Sequence, residues 1–318
     1  MPLIKSKIKK ILLISLTNIG DVVLTFPVFD VLRQQFPDAE ISLVIGPKAD
    51  SLFKEHPEIK QIYIYDKHQP HIKTIRWMIT LWKQRFDLVV DLRNTAIPFL
   101  IFPKQRTPLH TTKDESIHMQ KKHLNRLKTI MDIKEKSVPK KAVFISKTDQ
   151  QFVHEIIKKE IQDGAYVVFA PGSAFHAKRW SAQGFAWVAD DLMQKYQLKA
   201  VFVGDENDQA VVQEIQKLMK HELIDLCGRL SLIQLASLLQ GAFLAVVNDS
   251  APMHLASYLN IPVLALFGPS DPEKYGPWSE NCIYLTPPGK NQEIATISSD
   301  RVINAIAIHQ GKISFQVK

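Results

Sequence analysis

The stretch from Phe243 to Pro272, FLAVVNDSAPMHLASYLNIPVLALFGPSDP, narrows the possible folds of this chain most. A continuous apolar run of strand length, Phe243–Val247, stops at the polar turn Asn248-Asp249-Ser250. Ser250 is a natural N-cap, and Pro252 falls in the first helical turn, where a missing N–H costs least. The helix Ala251–Leu259 is expected to end near Asn260, and Pro262 opens a second strand, Val263–Phe267, that runs out into Gly268-Pro269. Strand, capped helix and returning strand make one unit of a parallel sheet, whose ligands bind at the carboxyl ends of the strands. The N–H groups of the helix start, with the Ser250 hydroxyl, suit an anion such as a nucleotide diphosphate. An ordinary capped β–α turn accounts for the same residues.

The rest of the chain repeats this scheme. Strands are expected at Lys9–Leu16, Ile41–Ile45, Gln61–Tyr65 and Leu88–Leu92, with helices at Val22–Phe36, Ala49–Glu55, Ile75–Arg85 and His118–Ile133. Between Asn94 and Glu115 three prolines interrupt any pattern, as in a loop that faces a partner. In the second half Tyr166–Ala170, Ala200–Val203 and Leu223–Leu226 alternate with helices at Ala182–Tyr196, Ala210–Met219 and Leu232–Leu239, and Asp300–His309 closes the series. Linkers are plausible near Pro139-Lys140-Lys141 and at Gln162-Asp163-Gly164. With Phe152–Ile161 read as a helix closing the first domain, the division expected is 1–163 and 164–318. The fold class is α/β, two similar halves with a cleft between them.

Composition excludes several classes. No apolar run reaches the roughly 18 residues of a spanning helix. Lys5, Lys7, Lys9 and Lys10 precede ILLISL, yet polar Asn18 and Asp21 follow without a cleavage site, so this is read as a first strand. Two cysteines, Cys227 and Cys282, leave no disulfide framework and fit a reduced cytoplasmic setting. Charge is uneven: residues 1–160 hold 28 Lys+Arg against 17 Asp+Glu, the remainder 12 against 15. A basic first half points to an anionic partner, for which nucleic acid, a membrane surface or a phosphorylated glycan would serve; a solvated lysine-rich face is the plain alternative.

Three further turns could carry chemistry. Asn18-Ile19-Gly20-Asp21 follows the first strand; Gly20 permits a tight turn, and Asp21 is either a helix cap or a carboxylate able to act as general base. Pro171-Gly172-Ser173, with Lys178-Arg179-Trp180 beyond it, could hold phosphate oxygens. In Gly204-Asp205-Glu206-Asn207-Asp208, Glu206 could accept ribose hydroxyls, while Asp208 is better placed to cap the next helix. His254, one turn into the key helix, either faces a ligand or is a structural histidine. There is no GxxxxGK[ST], no GxGxxG, no Asp-x-Asp and no ligand cluster with metal spacing, so neither a metal nor a cofactor is expected.

Together, Ile19-Gly20-Asp21-Val22-Val23-Leu24, Pro171-Gly172-Ser173 with Lys178 and Trp180, and Asn248-Asp249-Ser250-Ala251-Pro252-Met253-His254 resemble the motifs of glycosyltransferase family 9, the lipopolysaccharide heptosyltransferases. Cys227-Gly228-Arg229-Leu230-Ser231-Leu232 between them matches as well. The resemblance implies a GT-B fold, two Rossmann-like domains facing each other across a cleft, with acceptor in the first and nucleotide-sugar donor in the second. It implies inverting, metal-independent transfer of heptose from ADP-heptose to the lipopolysaccharide inner core; the alternatives are another nucleotide sugar on the same fold, or a non-catalytic nucleotide- or glycan-binding protein. The family's catalytic aspartate falls on Asp21, with Asn18 and Gly20 on the acceptor side. Its donor site falls on Gly172, Ser173, Lys178, Glu206, Asp249, Ser250, Ala251 and His254. A lipid-linked anionic acceptor and transient contact with the inner membrane surface are implied as partners, with a cytoplasmic or peripheral location and no nucleic acid. Two departures stand out: Ala251 where many members carry glycine, and Asp91-Leu92-Arg93-Asn94 in place of a Gln-Gly-rich turn.

Overall fold

The computed structural model describes residues 8–66, 70–109, 116–133, 138–162, 164–289 and 293–310. The chain divides into two compact units, Met1–Phe144 and Ile145–Lys318.

In the first unit five parallel strands, β1 (Lys10–Ile14), β2 (Glu40–Ile45), β3 (Ile59–Ile64), β4 (Leu88–Asp91) and β5 (Gln105–Arg106), lie in the order β3-β2-β1-β4-β5. Central β1 and β4 are covered on both faces, which is why they read as unbroken apolar runs. The helices are α1 (Ile19–Val23), α2 (Phe26–Gln35), α3 (His71–Lys83), α4 (Ile97–Leu100) and α5 (Met119–Lys128). The single helix expected over Val22–Phe36 is thus two. Pro27 has no N–H to continue the ladder, and Thr25 Oγ1 turns back to the Val22 carbonyl at 2.7 Å. Ala49–Glu55 is reduced to a 3₁₀ turn at Pro47–Leu52. The proline-interrupted stretch holds α4 and β5; residues 110–115 of it lie outside the described residues.

In the second unit six parallel strands, β6 (Tyr166–Ala170), β7 (Lys199–Phe202), β8 (Ile224–Asp225), β9 (Leu244–Asn248), β10 (Val263–Leu266) and β11 (Cys282–Leu285), take the order β11-β10-β9-β6-β7-β8. Its helices are α6 (Lys147–Ile156), α7 (Ala182–Tyr196), α8 (Gln209–Leu218), α9 (Leu232–Gln240), α10 (Ala251–Leu259), α11 (Pro272–Tyr275) and α12 (Ser299–Gln310). The boundary expected at 163/164 moves to 144/145. The segment read as closing the first domain belongs to the second, because α6 packs on α9 and Asp149 Oδ1 accepts from Gln234 Nε2 at 3.1 Å. The charge asymmetry survives the move: residues 1–144 hold 25 Lys+Arg against 14 Asp+Glu. No helix among the described residues is long and apolar enough to cross a membrane.

Both strand orders reverse direction at one place, between β1 and β4 in the first sheet and between β6 and β9 in the second. The crevice at the carboxyl ends of the strands at such a switch point is where doubly wound sheets bind ligands.

Candidate active site

At the second switch point, β6 runs into Pro171-Gly172-Ser173 and β9 into Asp249-Ser250. Fully buried Asn248 ties the two turns together. Its Nδ2 donates to the Pro171 carbonyl at 2.7 Å, and its Oδ1 accepts from the Trp180 N–H at 3.2 Å. The sequence marks Asn248 as part of a polar turn and of the family motif; its burial and its tie between the two turns are visible only in the structure. Trp180 is anchored in turn by Nε1 donating to the Ile297 carbonyl at 2.9 Å. The short 3₁₀ turn His176–Lys178 then sets Lys178 Nζ 2.6 Å from Asp249 Oδ2. Asp249 is 5% exposed, so the lysine supplies the counter-charge of a buried carboxylate at the start of α10.

Ser250 occupies the N-cap position of α10 but does not cap it. Its Oγ donates to the Asn248 carbonyl at 3.2 Å. The helix start is therefore left without a side-chain cap, which keeps its dipole end available to an anion. Ala251 is the first helical residue, and His254 lies one turn on, buried, with its ring 6.1 Å from that of Trp278.

Gly172 and Ser173 sit at this crevice, and Gly172 has a reason of its own. A Cβ there would fall inside the Asp208 carboxylate, which lies against the Gly172 and Gly204 backbones. Asp208 Oδ2 accepts from the Asp205 N–H at 3.1 Å, completing the capping box of the 3₁₀ turn Glu206–Asp208. Burial raises its carboxyl, against the lowering effect of that N–H. Asp208 holds the N-cap position of α8 but makes no cap bond to it, against expectation, because its carboxylate is taken by the turn before it; Glu206 is exposed on that turn.

At the first switch point, Asp21 is in the first turn of α1, half-buried. Asn18 at the N-cap makes no cap bond; its Nδ2 donates to Asp21 Oδ2 at 3.0 Å and orients the carboxylate. Gly20 lies within α1 and does not take a positive φ, so the tight turn assigned to it is not there. The close approach is made by Gly46, where a Cβ would collide with the Thr17 backbone.

Beside this turn is a cavity of about 400 Å³. Leu16 and Thr17 line it after β1, Leu92, Arg93 and Asn94 after β4, and Met119, Lys122, His123 and Arg126 from α5. Asp91 shapes the β4 turn, accepting from the Arg93 N–H at 2.8 Å and the Thr95 N–H at 2.7 Å. The Arg93 guanidinium stacks 4.4 Å from the Tyr65 ring centroid, and Arg126 donates to the Pro108 carbonyl at 3.1 Å. Arg93 Nη1, Arg126 Nε and His123 Nε2 find no hydrogen-bond partner among the described residues. Burial, helped by Lys122, Arg126 and His118, lowers His123 to about 4, so it is neutral at physiological pH. Three cationic side chains, Arg93, Lys122 and Arg126, thus line one cavity, with Asn94 and neutral His123 beside them, chemistry that suits an anion. Only the excess of cations in the first half hinted at it, because residues 92–94 and 122–126 are far apart in sequence. Among the described residues no group of three or more His, Cys, Asp or Glu is placed to hold a metal ion.

Comparison with known proteins decides the family. Residues 100–298 match the profile of glycosyltransferase family 9 (heptosyltransferase). The chain belongs to this family. It is 28% identical over 307 residues to lipopolysaccharide heptosyltransferase 3 of Escherichia coli (strain K12), an alignment covering 83% of this chain and 84% of that one. Among solved structures, a family 9 glycosyltransferase from Veillonella parvula superposes with a TM-score of 0.82 at 25% identity, covering 96% and 98% of the two chains. The E. coli ADP-heptose LPS heptosyltransferase II superposes with a TM-score of 0.78 at 22% identity, over 95% and 99%, a likeness of fold. This family 9 member is a glycosyltransferase of the GT-B type, built from two Rossmann-like α/β units.

Proposed function

We propose that this enzyme transfers a heptose from ADP-heptose to the anionic inner core of lipopolysaccharide, with inversion at the anomeric carbon and without a divalent metal. The observation that carries the reading is the Lys178–Asp249 pair at the uncapped start of α10. It puts an ammonium where a helix dipole already favours a diphosphate. The curated relative named above is a lipopolysaccharide heptosyltransferase, which supports the choice of sugar and acceptor.

In this reading the second unit binds the donor through Lys178, Asp249, Ser250, Ala251 and the Gly172-Ser173 turn, with Glu206 toward the ribose and His254 behind the helix start. The first unit binds the acceptor, whose anionic groups meet Arg93, Lys122 and Arg126. Asp21 takes the proton of the acceptor hydroxyl as that oxygen bonds to the anomeric carbon from the face opposite the diphosphate. The bond from the anomeric carbon to the diphosphate oxygen breaks, and ADP leaves with the electron pair. Lys178 and the α10 N–H groups meet its charge, the task a divalent cation performs in other transferases.

The test is ADP release from ADP-heptose with a soluble inner-core oligosaccharide, in excess EDTA and with added Mg²⁺, beside a panel of other nucleotide sugars. Equal turnover in EDTA and Mg²⁺, with ADP-heptose as best donor, is the expected result. Turnover on a different nucleotide sugar alone would reassign the donor, and a strict Mg²⁺ requirement would remove the role given to Lys178.

A further inference from the structure

Helix α3 is apolar on two faces. Leu81 is fully buried, and Trp77 and Met78 pack against the first unit's core. The opposite face carries Ile72, Ile75, Ile79 and Trp82 at spacings of three and four residues, each between 45% and 59% exposed. A helix of a soluble protein with this pattern normally hides both faces. The stripe does not end with the helix. Helix α4 neighbours α3, and the Lys104 N–H bonds the Phe86 carbonyl, returning the chain past α4 toward the end of α3 that bears Trp82. On that return Phe102 takes a positive φ of 48°, uncommon for a bulky residue, and the residue is 75% exposed.

The charges carried by α3 itself are of one sign, although Asp66 lies beside its Thr74 and Trp77. Neither α3 nor residues 97–109 contain an acidic side chain, whereas Lys73, Arg76 and Lys83 are exposed along the helix and Arg106 lies beyond Phe99. An apolar stripe on a helix whose own charges are all cationic suits an anionic bilayer surface: apolar side chains reach the acyl boundary while lysine and arginine meet lipid phosphates. A protein partner would need a matching apolar face with acidic borders.

We propose that the exposed face of α3, extended by Phe102, docks this enzyme on an anionic lipid surface. The docking rests on the functional reading above only for its purpose, which is to bring the first unit to a lipid-linked acceptor.

The test is co-sedimentation of the full chain with vesicles of phosphatidylglycerol in phosphatidylcholine, beside vesicles of phosphatidylcholine alone. Binding to the anionic vesicles is expected to be at least about tenfold stronger and to weaken with added salt. Ile79→Ser/Trp82→Ser and Arg76→Gln/Lys83→Gln should each lower it by roughly tenfold or more. Both pairs are solvent-exposed, so near-UV circular dichroism should not change, and turnover on a water-soluble acceptor should persist. Absence of binding to either vesicle, or binding by both variants as strong as that of the wild type, overturns the proposal. So does a wild-type dimer that Ile79→Ser/Trp82→Ser dissociates, which would make a second copy the occupant. Loss of turnover on the soluble acceptor would assign the face to the reaction instead. Failure of the heptosyl reading would show as absent ADP release and leave vesicle binding untouched.

Discussion

Lys178 Nζ and Asp249 Oδ2 are 2.6 Å apart, although 71 residues separate them in sequence. The pair joins the β6 and β9 turns across the switch point of the second sheet, and each partner has a task the other makes possible. Asp249 is buried and requires a cation; Lys178 is held in one place by it, at the start of α10.

Replacing Lys178 should therefore have two separable effects. Lys178→Ala should weaken ADP by roughly tenfold or more and leave adenosine nearly unchanged, because only the diphosphate offers oxygens to an ammonium. It should also lower folding stability by about 1–3 kcal/mol, because Asp249 is left buried without its partner. Isothermal titration with both ligands and urea unfolding measure the two. Equal weakening of ADP and adenosine would place the lysine away from the diphosphate.

Asp21→Asn removes the proposed base while keeping the shape of the side chain. Turnover should fall by roughly 10²–10⁴-fold with donor affinity unchanged. Asn18→Ala, which frees the carboxylate from its amide, should cost less. If Asp21→Asn instead kept its turnover and lost stability, the carboxylate would be a structural feature of α1.

Gly172 and Asp208 should couple. Gly172→Ala forces a methyl into the Asp208 carboxylate and should destabilise by about 1–3 kcal/mol. Asp208→Ala breaks the capping box at a cost of about 1 kcal/mol. With the carboxylate gone the methyl has room, so the double variant should be more stable than the sum of the two losses allows. Additive losses would mean that Gly172 serves the ligand rather than the packing.

His123 sets a pH dependence whose sign is fixed by its burial. Its folded value, about 4, lies below the unfolded value of 6.5. Between those limits the unfolded chain binds a proton that the native state does not, so stability is full above pH 6.5 and falls as pH drops toward 4. The difference amounts to about 3 kcal/mol. His56 adds to it in the same direction, since burial lowers it too. Urea unfolding at pH 7 and pH 4.5 should show a shallower loss for His123→Gln than for the wild type, by about 2–3 kcal/mol. Identical losses would mean that His123 is not held neutral.

The amino-acid sequence by itself determined most of the buried strands and long helices and their order. Tyr166–Ala170, Ala182–Tyr196 and Ala251–Leu259 are found at the bounds their patterns dictate, because a strand buried on both faces must be continuously apolar and a capped helix start needs particular residues. Two-residue β5 and partly exposed β11 were not legible, since neither carries enough burial to leave a pattern. The domain boundary was not legible either: the polarity of Gln162-Asp163-Gly164 is local, whereas the assignment of α6 depends on its packing against α9. Ser250 has the chemistry of a cap, but the carbonyl of Asn248 competes for its hydroxyl, and only the turn's geometry decides between them. The cavity of Arg93, Lys122, His123 and Arg126 is the clearest case. Its members are ordinary polar residues of a basic half until the parallel β1–β4 pairing and the seat of α5 bring them to one crevice. Local propensity is a property of neighbours in the chain, and a binding site is a property of neighbours in space.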